Sequence, residues 1–404
     1  MVDAAMSFRS QPASVVAPAL KPQGRGSGLA VSVLPETDLV TYGELARRSL
    51  RAPAQDPLWI EEWVANVEPD GFVAVVEQNG RAVYALALEV VRTGPFRIAR
   101  FMSGRHANGN FPAADPAFLK AEPFDTAALL AAIRVARPDV DALALERLLP
   151  ELNGVANPLL ALPHFPSPNV ALAVHLEGGF EALLSRVSGK RKKKKHRSQT
   201  RKFEAAGGFR RIEAGTPEEV SRILDAFFAM KEFRFRKMGI ANVFGDMEVQ
   251  NFFRSLFRDA LGENPRPFVL HALEVDGTLR AITGSSLSGK RLVCEFGAIA
   301  EDDLAHTSPG DFLFFENIGA ACREGFEIFD FSVGDEPYKR LWCDIETRHF
   351  DVVLPLTAKG VLLARALRLK AGAKAWVKNS PTMWKLAKLL RRSAAGQRQP
   401  ADED

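Results

Sequence analysis

Hydrophobic and polar positions follow the same order of strand and helix patterns in two stretches of the chain. In the first stretch, apolar residues alternate over Gly71–Val91, and Asn79-Gly80 in the middle predicts a hairpin. A third strand is predicted over Phe96–Met102, followed by a helix over Asp125–Ala136 and a strand over Asp141–Leu148. The order is therefore a hairpin, a third strand, a helix and a last strand.

The second stretch repeats this order without repeating the sequence. Three strand patterns fill Pro267–Ala300, and Asp276-Gly277 predicts the hairpin between the first two. A buried helix is predicted over Ser308–Gly325, with serine as the N-cap residue and glycine as the stop signal. A strand over Phe329–Val333 completes the unit. The repeat predicts two domains of similar architecture.

Composition divides the chain further. Met1–Gly28 is rich in Ala, Pro, Ser and Gly without periodicity, which predicts a disordered tail. Pro163, Pro166 and Pro168 favour extended backbone and predict a linker between the two repeated stretches. We therefore predict a tail at 1–28, domains at 29–165 and 166–358, and a separate basic segment at 359–404.

The net charge is +4, but the basic residues are concentrated in two segments. Nine Lys and Arg lie within Lys190–Lys202, in a helix predicted over Phe180–Ala206, and ten lie within Lys359–Arg392; neither segment contains an acid. The first is either a solvated helix or an anion site for CoA phosphates, an anionic acceptor, RNA or lipid headgroups. The second is amphipathic and predicts contact either with an anionic membrane surface or with the protein's own core.

Other features narrow the class of protein. Three cysteines are too few and too scattered for a disulfide scaffold, and the seven histidines lack metal-ligand spacing, so no metal is expected. The sequence contains neither an apolar run of 18 residues nor a signal-peptide layout. We expect a cytoplasmic protein that can associate peripherally with the inner membrane.

A ligand site is predicted where the last strand of the second stretch ends. The strand ends at Gly334, and an acidic, proline-containing and aromatic-basic segment follows as far as Trp342. Open α/β sheets bind ligands at the carboxyl ends of their strands. We therefore expect the site between Cys294–Ala298 and Phe329–Val333.

Three segments resemble a known family. The basic Arg191–Gly208, the Ser308–Asp311 segment and above all Gly334–Trp342 resemble the GNAT-like domain of bacterial CelD-type proteins, which are named for an association with cellulose biosynthesis. The similarity spans Phe180 to about Thr357, and a more distant one connects the chain to the tandem-GNAT Fem aminoacyltransferases. The resemblance implies an α/β fold with a mixed sheet and two tandem GNAT-like domains, in which the fourth and fifth strands separate and hold the pantetheine of acyl-CoA.

The resemblance also implies roles for individual residues. Tyr338 would protonate the leaving thiolate, with packing against the sheet as the alternative, and Asp335 would position its helical turn as an N-cap residue. Glu295 is a candidate base, although an outward-facing salt bridge fits its position equally well. The predicted contacts of acetyl-CoA or another acyl-CoA are Ser308, Gly310, Asp311, Gly297, Ala298 and Ser332. The predicted substrate contacts are Trp59, Trp63, His106, Asn108, Lys339, Arg340 and Trp342, with core packing as the alternative for the two tryptophans of the first half.

Three functions follow from this resemblance. The first is acyl transfer from acyl-CoA to an amine or hydroxyl of a saccharide or other envelope precursor. The loop at His306–Gly310 has one glycine where the family pattern has two, which leaves the donor open. The second is therefore Fem-like aminoacyl transfer, with aminoacyl-tRNA as the expected nucleic-acid partner. The third is a catalytically silent scaffold that docks a polysaccharide synthase at the membrane.

Overall fold

The computed structural model describes residues 29–36, 38–121 and 125–379, the last ten by their backbone only. The predicted tail at 1–28 and residues 380–404 lie outside the described residues. The strands are Leu29–Pro35 (β1), Gly71–Gln78 (β2), Arg81–Thr93 (β3), Phe96–Phe101 (β4), Ala113–Ala114 (β5), Ala142–Leu148 (β6), Glu151–Leu152 (β7), Val155–Ala156 (β8), His164–His175 (β9), Phe209–Glu213 (β10), Phe268–Val275 (β11), Thr278–Ser288 (β12), Arg291–Ile299 (β13), Ile328–Val333 (β14) and Ile345–Pro355 (β15).

Eleven α-helices pack on both sides of these strands within the described residues. They are Val40–Arg47 (α1), Pro57–Val67 (α2), Pro116–Ala121 (α3), Thr126–Ala136 (α4), Gly179–Arg186 (α5), Gly189–Ala205 (α6), Pro217–Met238 (α7), Met247–Asp259 (α8), Pro309–Arg323 (α9), Pro337–Arg340 (α10) and Ala358–Asn379 (α11). The single helix predicted over Phe180–Ala206 is wrong. Ser188 adopts a left-handed conformation between α5 and α6, and a Cβ on Gly189 would lie 2.4 Å from the Leu184 carbonyl oxygen, so the chain turns sharply there.

One mixed sheet of 13 strands connects both halves of the described chain, and β7 and β8 form a separate pair. Its order is β1-β2-β3-β4-β6-β15-β9-β14-β13-β12-β11-β10, with β5 paired to β3. The β4–β6 and β13–β14 pairs are parallel, and the other neighbours are antiparallel. The mixed α/β fold class is confirmed.

The two halves exchange a strand each. β9 follows the first half in the chain, yet it pairs with β14 of the second half. β15 ends the second half, yet it pairs with β6 of the first half as well as with β9. Backbone hydrogen bonds therefore connect the halves at the centre of the sheet.

The proline cluster is part of this exchange. Pro166 and Pro168 lie within β9, and Pro166 is paired with Phe350 of β15. Proline suits extended backbone, so the predicted conformation is right, but the interpretation of the segment as a linker is wrong. The predicted division into domains at 29–165 and 166–358 stays a prediction.

A shared aromatic core also joins the halves. The rings of Trp59 and Trp63 on α2 lie 5.2 Å and 5.0 Å from the ring of Phe252 on α8. Phe253, Phe257 and Phe268 belong to the same buried cluster. Aromatic side chains of this size bury large apolar areas, so this contact contributes strongly to holding α2 against α8.

The start of the basic C-terminal segment packs on the protein. Leu363 and Ala364 of α11 are buried with Ile98 and Val353, and the Arg368 guanidinium donates a 2.8 Å hydrogen bond to the Val353 carbonyl. For this part of the segment, the alternative of contact with the protein's own core is correct. Among the helices that the structure describes, none is both long and apolar enough to cross a bilayer.

Candidate active site

The sheet of the second half opens where β13 and β14 separate. Their parallel ladder has three residue pairs and ends at Val293 and Asp330. Beyond these residues, no described strand pairs with the edge of β13 that faces β14. The gap therefore lies between Cys294–Ala298 and the end of β14, at the position predicted from the sequence.

A β-bulge places Glu295 at this gap. Ser285 of β12 pairs with Cys294 and Gly284 pairs with Phe296, which leaves Glu295 as the extra residue of β13. A bulge can re-aim a side chain out of the regular alternation of a strand. Gly284 makes this arrangement possible, because a Cβ there would lie 2.1 Å from the Phe296 ring.

The Glu295 carboxylate is held by donors from both halves of the protein. Ser286 Oγ donates to Oε1 at 2.5 Å, and Asn108 Nδ2 donates to Oε2 at 2.8 Å and to the Glu295 carbonyl at 2.7 Å. Burial raises the pKa of Glu295 to about 7, although these two donors and the Arg147 charge act in the opposite direction. A carboxylate with a pKa near neutrality suits a general base.

Glu295 lines a cavity of about 360 Å³ between the halves. This volume lies at the lower end of the range for small-molecule sites. The lining residues are Arg105, His106, Asn108, Arg147, Asn169, Lys231, Val243, Phe244, Phe253, Glu295, Phe296, Val333, Gly334 and Glu336. The cavity thus combines an aromatic wall with several charged and polar groups.

His106 and Asn108, both predicted as substrate contacts, line this cavity. The His106 ring lies 5.3 Å from the Phe244 ring and 5.5 Å from the Phe253 ring. Burial, together with nearby arginines, lowers the pKa of His106 to about 4, so the ring is neutral at physiological pH. Asn108 is bonded to Glu295 and therefore positions the candidate base.

The corresponding gap in the first half is closed. β4 and β6 also separate after a short parallel ladder, but the chain after β4 fills the opening. The Asn110 N–H donates to the Arg147 carbonyl, and the Leu149 N–H donates to the Asn110 carbonyl. The Asn110 side chain donates to the Glu146 carbonyl at 2.7 Å and accepts from Gln55 at 3.0 Å.

The predicted pyrophosphate loop is occupied by side chains of α6. Gln199 Nε2 donates to the carbonyls of Thr307 and Ser308 at 2.7 Å and 3.0 Å, and Lys195 Nζ lies 2.8 Å from Asp311 Oδ2. Ser308 precedes α9 but adopts a left-handed conformation, and its side chain makes no capping hydrogen bond. Ser308 is thus the N-cap residue, as predicted, but by its backbone position alone.

The other predicted donor contacts lie at the gap or beside it. Gly297 and Ala298 pair with β12 on one side only. Ser332 is buried at a positive φ of 57°, where the ladder between β14 and β9 is irregular. Gly310 packs against β13, since a Cβ there would lie 2.8 Å from Ile299 Cγ2.

Tyr338 lies on α10, directly after the gap. Its ring stacks on Phe314 at 5.6 Å, and the side chain is 38% exposed. Burial raises the pKa of Tyr338, which keeps the phenol protonated at neutral pH. The N-cap residue of α10 is Glu336, so the interpretation of Asp335 as the N-cap residue is wrong; Asp335 Oδ1 accepts a 2.6 Å hydrogen bond from Arg340 Nε.

The two tryptophans of the first half belong to the core. Trp59 and Trp63 are 1% and 4% exposed, and their indole N–H groups donate to Ser103 Oγ and Glu89 Oε2. Neither residue lines the cavity. The alternative of core packing is therefore correct for both, and their predicted contact with a substrate is not supported.

The basic and aromatic residues around α10 have structural partners. Lys339 is buried, and its ammonium lies 2.9 Å from Glu336 Oε2 and 3.1 Å from a carbonyl of β14. Trp342 is buried beneath Lys192, whose Nζ lies 3.7 Å from the ring centroid. Together with Arg340, which is held in ion pairs, these residues stabilise the turn and do not line the cavity.

The basic helix α6 has one packed face and one exposed face. His196 stacks on Phe312 and Phe315 of α9 at 4.5 Å and 4.2 Å, and its Nε2 lies 2.6 Å from Glu316 Oε1. The interpretation as a solvated helix that also covers apolar surface is therefore correct, and the anion site stays a prediction. The exposed bases are Lys190, Arg191, Lys194, Lys195, Arg197, Arg201 and Lys202.

Sequence reasoning missed Lys231, Arg105 and Arg147. Lys231 lies four residues after Phe227 and four before Phe235, in line with the apolar stripe of α7. A lysine on a buried stripe is a signal that could have been noticed. Within the described ranges, no group of three or more His, Cys, Asp or Glu is arranged to hold a metal ion.

Comparison with known proteins agrees with this architecture. Residues 190–340 match the model of an acetyltransferase (GNAT) domain. The structure of FemX is similar at a TM-score of 0.53 and 10% identity, with 80% of this chain and 96% of that chain covered. No curated protein matches the chain.

Two further solved structures are similar over most of their length. A tandem GNAT protein from the clavulanic acid biosynthesis pathway has a TM-score of 0.44 at 14% identity, covering 81% of this chain and 99% of that one. L-PGS from Bacillus licheniformis has a TM-score of 0.48 at 9% identity, covering 84% and 99%. Residues 190–340 thus form a GNAT-type acetyltransferase domain, and the similarity to FemX is one of fold over most of both chains.

Proposed function

We propose that the protein transfers an acyl group from acyl-CoA to an amine or hydroxyl of a small acceptor, with Glu295 as the general base. The observation that supports this most strongly is a carboxylate with a pKa raised to about 7, fixed by two donors and facing a cavity at the sheet gap. Such an acid is ionised in a large fraction of molecules at neutral pH, and its pKa is high enough to take a proton.

The reaction can be written with groups that this chain provides. The acceptor nitrogen attacks the thioester carbon, and Glu295 takes the proton that the nitrogen loses. The carbon–sulfur bond then breaks, and the CoA thiolate takes the phenolic proton of Tyr338, which solvent restores. The products are the N-acylated acceptor and free CoA.

The gap between β13 and β14 is the proposed binding place for pantetheine. The unpaired edge of β13 at Gly297 and Ala298 offers backbone groups to an extended amide chain. Tyr338 lies in the first turn of the helix on the other side of the gap, and its raised pKa keeps the phenol protonated before the thiolate forms. For the phosphates of CoA, Lys195 would break its ion pair with Asp311 and bind a phosphate of the donor instead.

Aminoacyl transfer is the second candidate. The first turn of α9 is filled by Gln199 and by the Lys195–Asp311 pair, which leaves less room for a pyrophosphate than an open glycine loop does. The exposed bases of α6 could instead bind the phosphates of an aminoacyl-tRNA. A saccharide acceptor, its link to cellulose biosynthesis and a scaffold role at a membrane rest on the sequence resemblance alone.

Calorimetric titration with acetyl-CoA separates the candidates. We expect saturable binding, followed by release of CoA thiol when a panel of amino sugars and amino acids is added. Glu295→Gln and Tyr338→Phe should each bind acetyl-CoA normally and lose roughly 10²-fold or more in turnover. Glu327→Gln, which changes an exposed acid paired with Lys290, is the matched control and should keep full turnover.

The outcomes are distinct. No binding of acetyl-CoA would contradict the acyl-CoA proposal and favour an aminoacyl donor. Full turnover in Glu295→Gln would exclude its role as the base. Full turnover in Tyr338→Phe would exclude only the proton donor, and another group or water would then protonate the thiolate.

A further inference from the structure

Positive side chains without an acidic partner accumulate in the lining of the cavity. Arg105, Arg147 and Lys231 all line it, and none of their side chains forms a salt bridge with an acid in the part of the chain that the structure describes. Of the two acids in the lining, Glu336 is paired with Lys339, and Glu295 has a raised pKa. The cavity therefore has an excess of positive charge.

Lys231 is a half-buried cation surrounded by aromatic rings. Its ammonium lies 5.5 Å from the ring centroid of Phe227 and 5.6 Å from those of Phe235 and Phe244. Aromatic faces attract a cation, but they compensate only partly for the water that it loses. Burial, with a further contribution from Arg234, lowers the pKa of Lys231 to about 8. An anion bound beside the ammonium would compensate for the hydration that the buried charge has lost.

Arg147 is fixed in place on the neighbouring wall. Its Nη1 donates to the carbonyls of Arg105 and Ala107 at 3.3 Å and 2.5 Å, so the guanidinium is oriented by the backbone and not by an acid. Its own backbone is in the left-handed region at φ 56°, which is costly for an arginine. Strained backbone of this kind is common at binding sites. Arg105, in the segment after β4, is exposed and can follow a ligand.

We propose that the acceptor is an amine that also contains a phosphate or carboxylate group, and that Lys231, with Arg105 and Arg147, binds this anionic group. The inference rests on the proposed acyl transfer, because it uses Glu295 to define the amine end of the cavity. The acid and the cations in one lining suit the two ends of such a molecule. Binding the anionic end would fix the nitrogen for attack and would exclude neutral amines of similar size.

Matched ligands test this proposal. D-glucosamine, D-glucosamine 6-phosphate and 2-amino-2-deoxy-D-glucuronic acid have the same amine and differ at C6 in charge. A linear set of 4-aminobutanol, 4-aminobutyl phosphate and 4-aminobutanoate makes the same comparison without a ring. Calorimetry measures binding to the full-length protein with and without acetyl-CoA, and thiol release measures transfer.

We expect the phosphate or the carboxylate member of at least one set to bind roughly tenfold or more tightly than its neutral member. Lys231→Gln should abolish this preference and leave the neutral member unchanged, whereas Lys231→Arg should retain most of it. Arg105→Gln, at an exposed position, should partly reduce the preference for the anionic member without affecting the fold. Lys237→Gln, on the same helix but paired with Glu301 and outside the cavity, is the control and should behave as wild type.

Other results would overturn the proposal. Equal or tighter binding of the neutral members, a preference that persists in Lys231→Gln, or no anion-dependent binding in either set would each do so. Binding is measured without turnover, so failure of the anion site is separate from failure of the acyl-transfer proposal. A catalytically silent protein with Lys231-dependent binding would keep the anion site and contradict the proposed acyl transfer.

Discussion

The two halves contain the same opening in the sheet and treat it in opposite ways. In the first half, the chain after β4 enters the opening, and the backbone and side chain of Asn110 bond to residues on β6 and beside it. In the second half, the opening between β13 and β14 stays free of strand pairing, and Glu295 lies at it on a bulge. The first opening is closed by the chain itself, whereas the second is available for a ligand.

The difference shows that the two halves of a repeat can have different roles at one site. The loop that closes the first opening continues past it, and Asn108 on this loop donates to Glu295, 187 residues away in the chain. Arg105 and His106 of the same loop line the cavity. The first half has therefore lost its own opening and provides part of the wall of the other one.

We expect the largest effect, a loss of folding, from disrupting the exchange of β9 and β15. This exchange joins the strands around the two openings into one sheet. A chain that ends at Asp344 lacks the strand between β6 and β9, so we expect both halves to fail to fold. Circular dichroism and gel filtration of the purified fragment measure this. The control is a chain that ends at Asn379, which retains α11. A folded first half in the shorter chain would contradict the exchange.

The second prediction concerns the unfolding free energy that is lost when the buried Glu295 at the open gap ionises. The pKa of Glu295 is raised from 4.5 to about 7, so the folded state loses stability as pH rises from 4.5 through 7, when the buried group ionises. Between pH 5 and pH 8, wild type should lose up to about 3 kcal/mol of unfolding free energy more than Glu295→Gln. Urea unfolding at both pH values measures this difference. Equal losses in the two proteins would mean that the acid ionises freely.

The third prediction concerns the closed gap. Asn110→Ala leaves the Glu146 carbonyl and the Gln55 amide without their buried partner, so we expect a loss of about 2 kcal/mol of unfolding free energy. Thermal and urea unfolding measure it. Asn66→Ala, which removes a local helix bond to Glu62, is the control and should cost less than about 0.5 kcal/mol. A neutral Asn110→Ala would show that the opening is closed by backbone alone.

The smallest expected effect is at the contact between the halves. The Asn108 amide favours the ionised form of Glu295, so Asn108→Ala should move the pKa of Glu295 further upward. The alkaline rise of kcat/KM should shift to higher pH, with roughly tenfold lower activity at pH 7 and recovery above pH 8. A uniform loss at all pH values would indicate a purely structural role for Asn108.

Local features of this fold were predictable from sequence. Asn79-Gly80 and Asp276-Gly277 both adopt the positive φ values that two-residue hairpins need, because Gly and short polar residues tolerate them. The apolar stripe of α7, which starts after the capping Thr216, is buried as predicted. These signals are local, so a single sequence reveals them.

The features that define the site are not local. The pairing of β15 with β6 and the Asn108–Glu295 bond connect residues far apart in the chain, and alternation of apolar residues does not select the partner of a strand. The bulge at Glu295 depends on Gly284 of the neighbouring strand. Sequence alone therefore placed Glu295 near the gap but could not distinguish a base from a surface salt bridge.

The order of synthesis gives the strand exchange a further consequence. Arg147 at the end of β6 is bonded to Asp351 of β15, which leaves the ribosome 204 residues later. Until then, a nascent first half has an unpaired strand edge in its growing sheet, and such edges template aggregation. We therefore expect slow elongation or loss of a holding chaperone to reduce the yield of the protein more than its final stability would suggest.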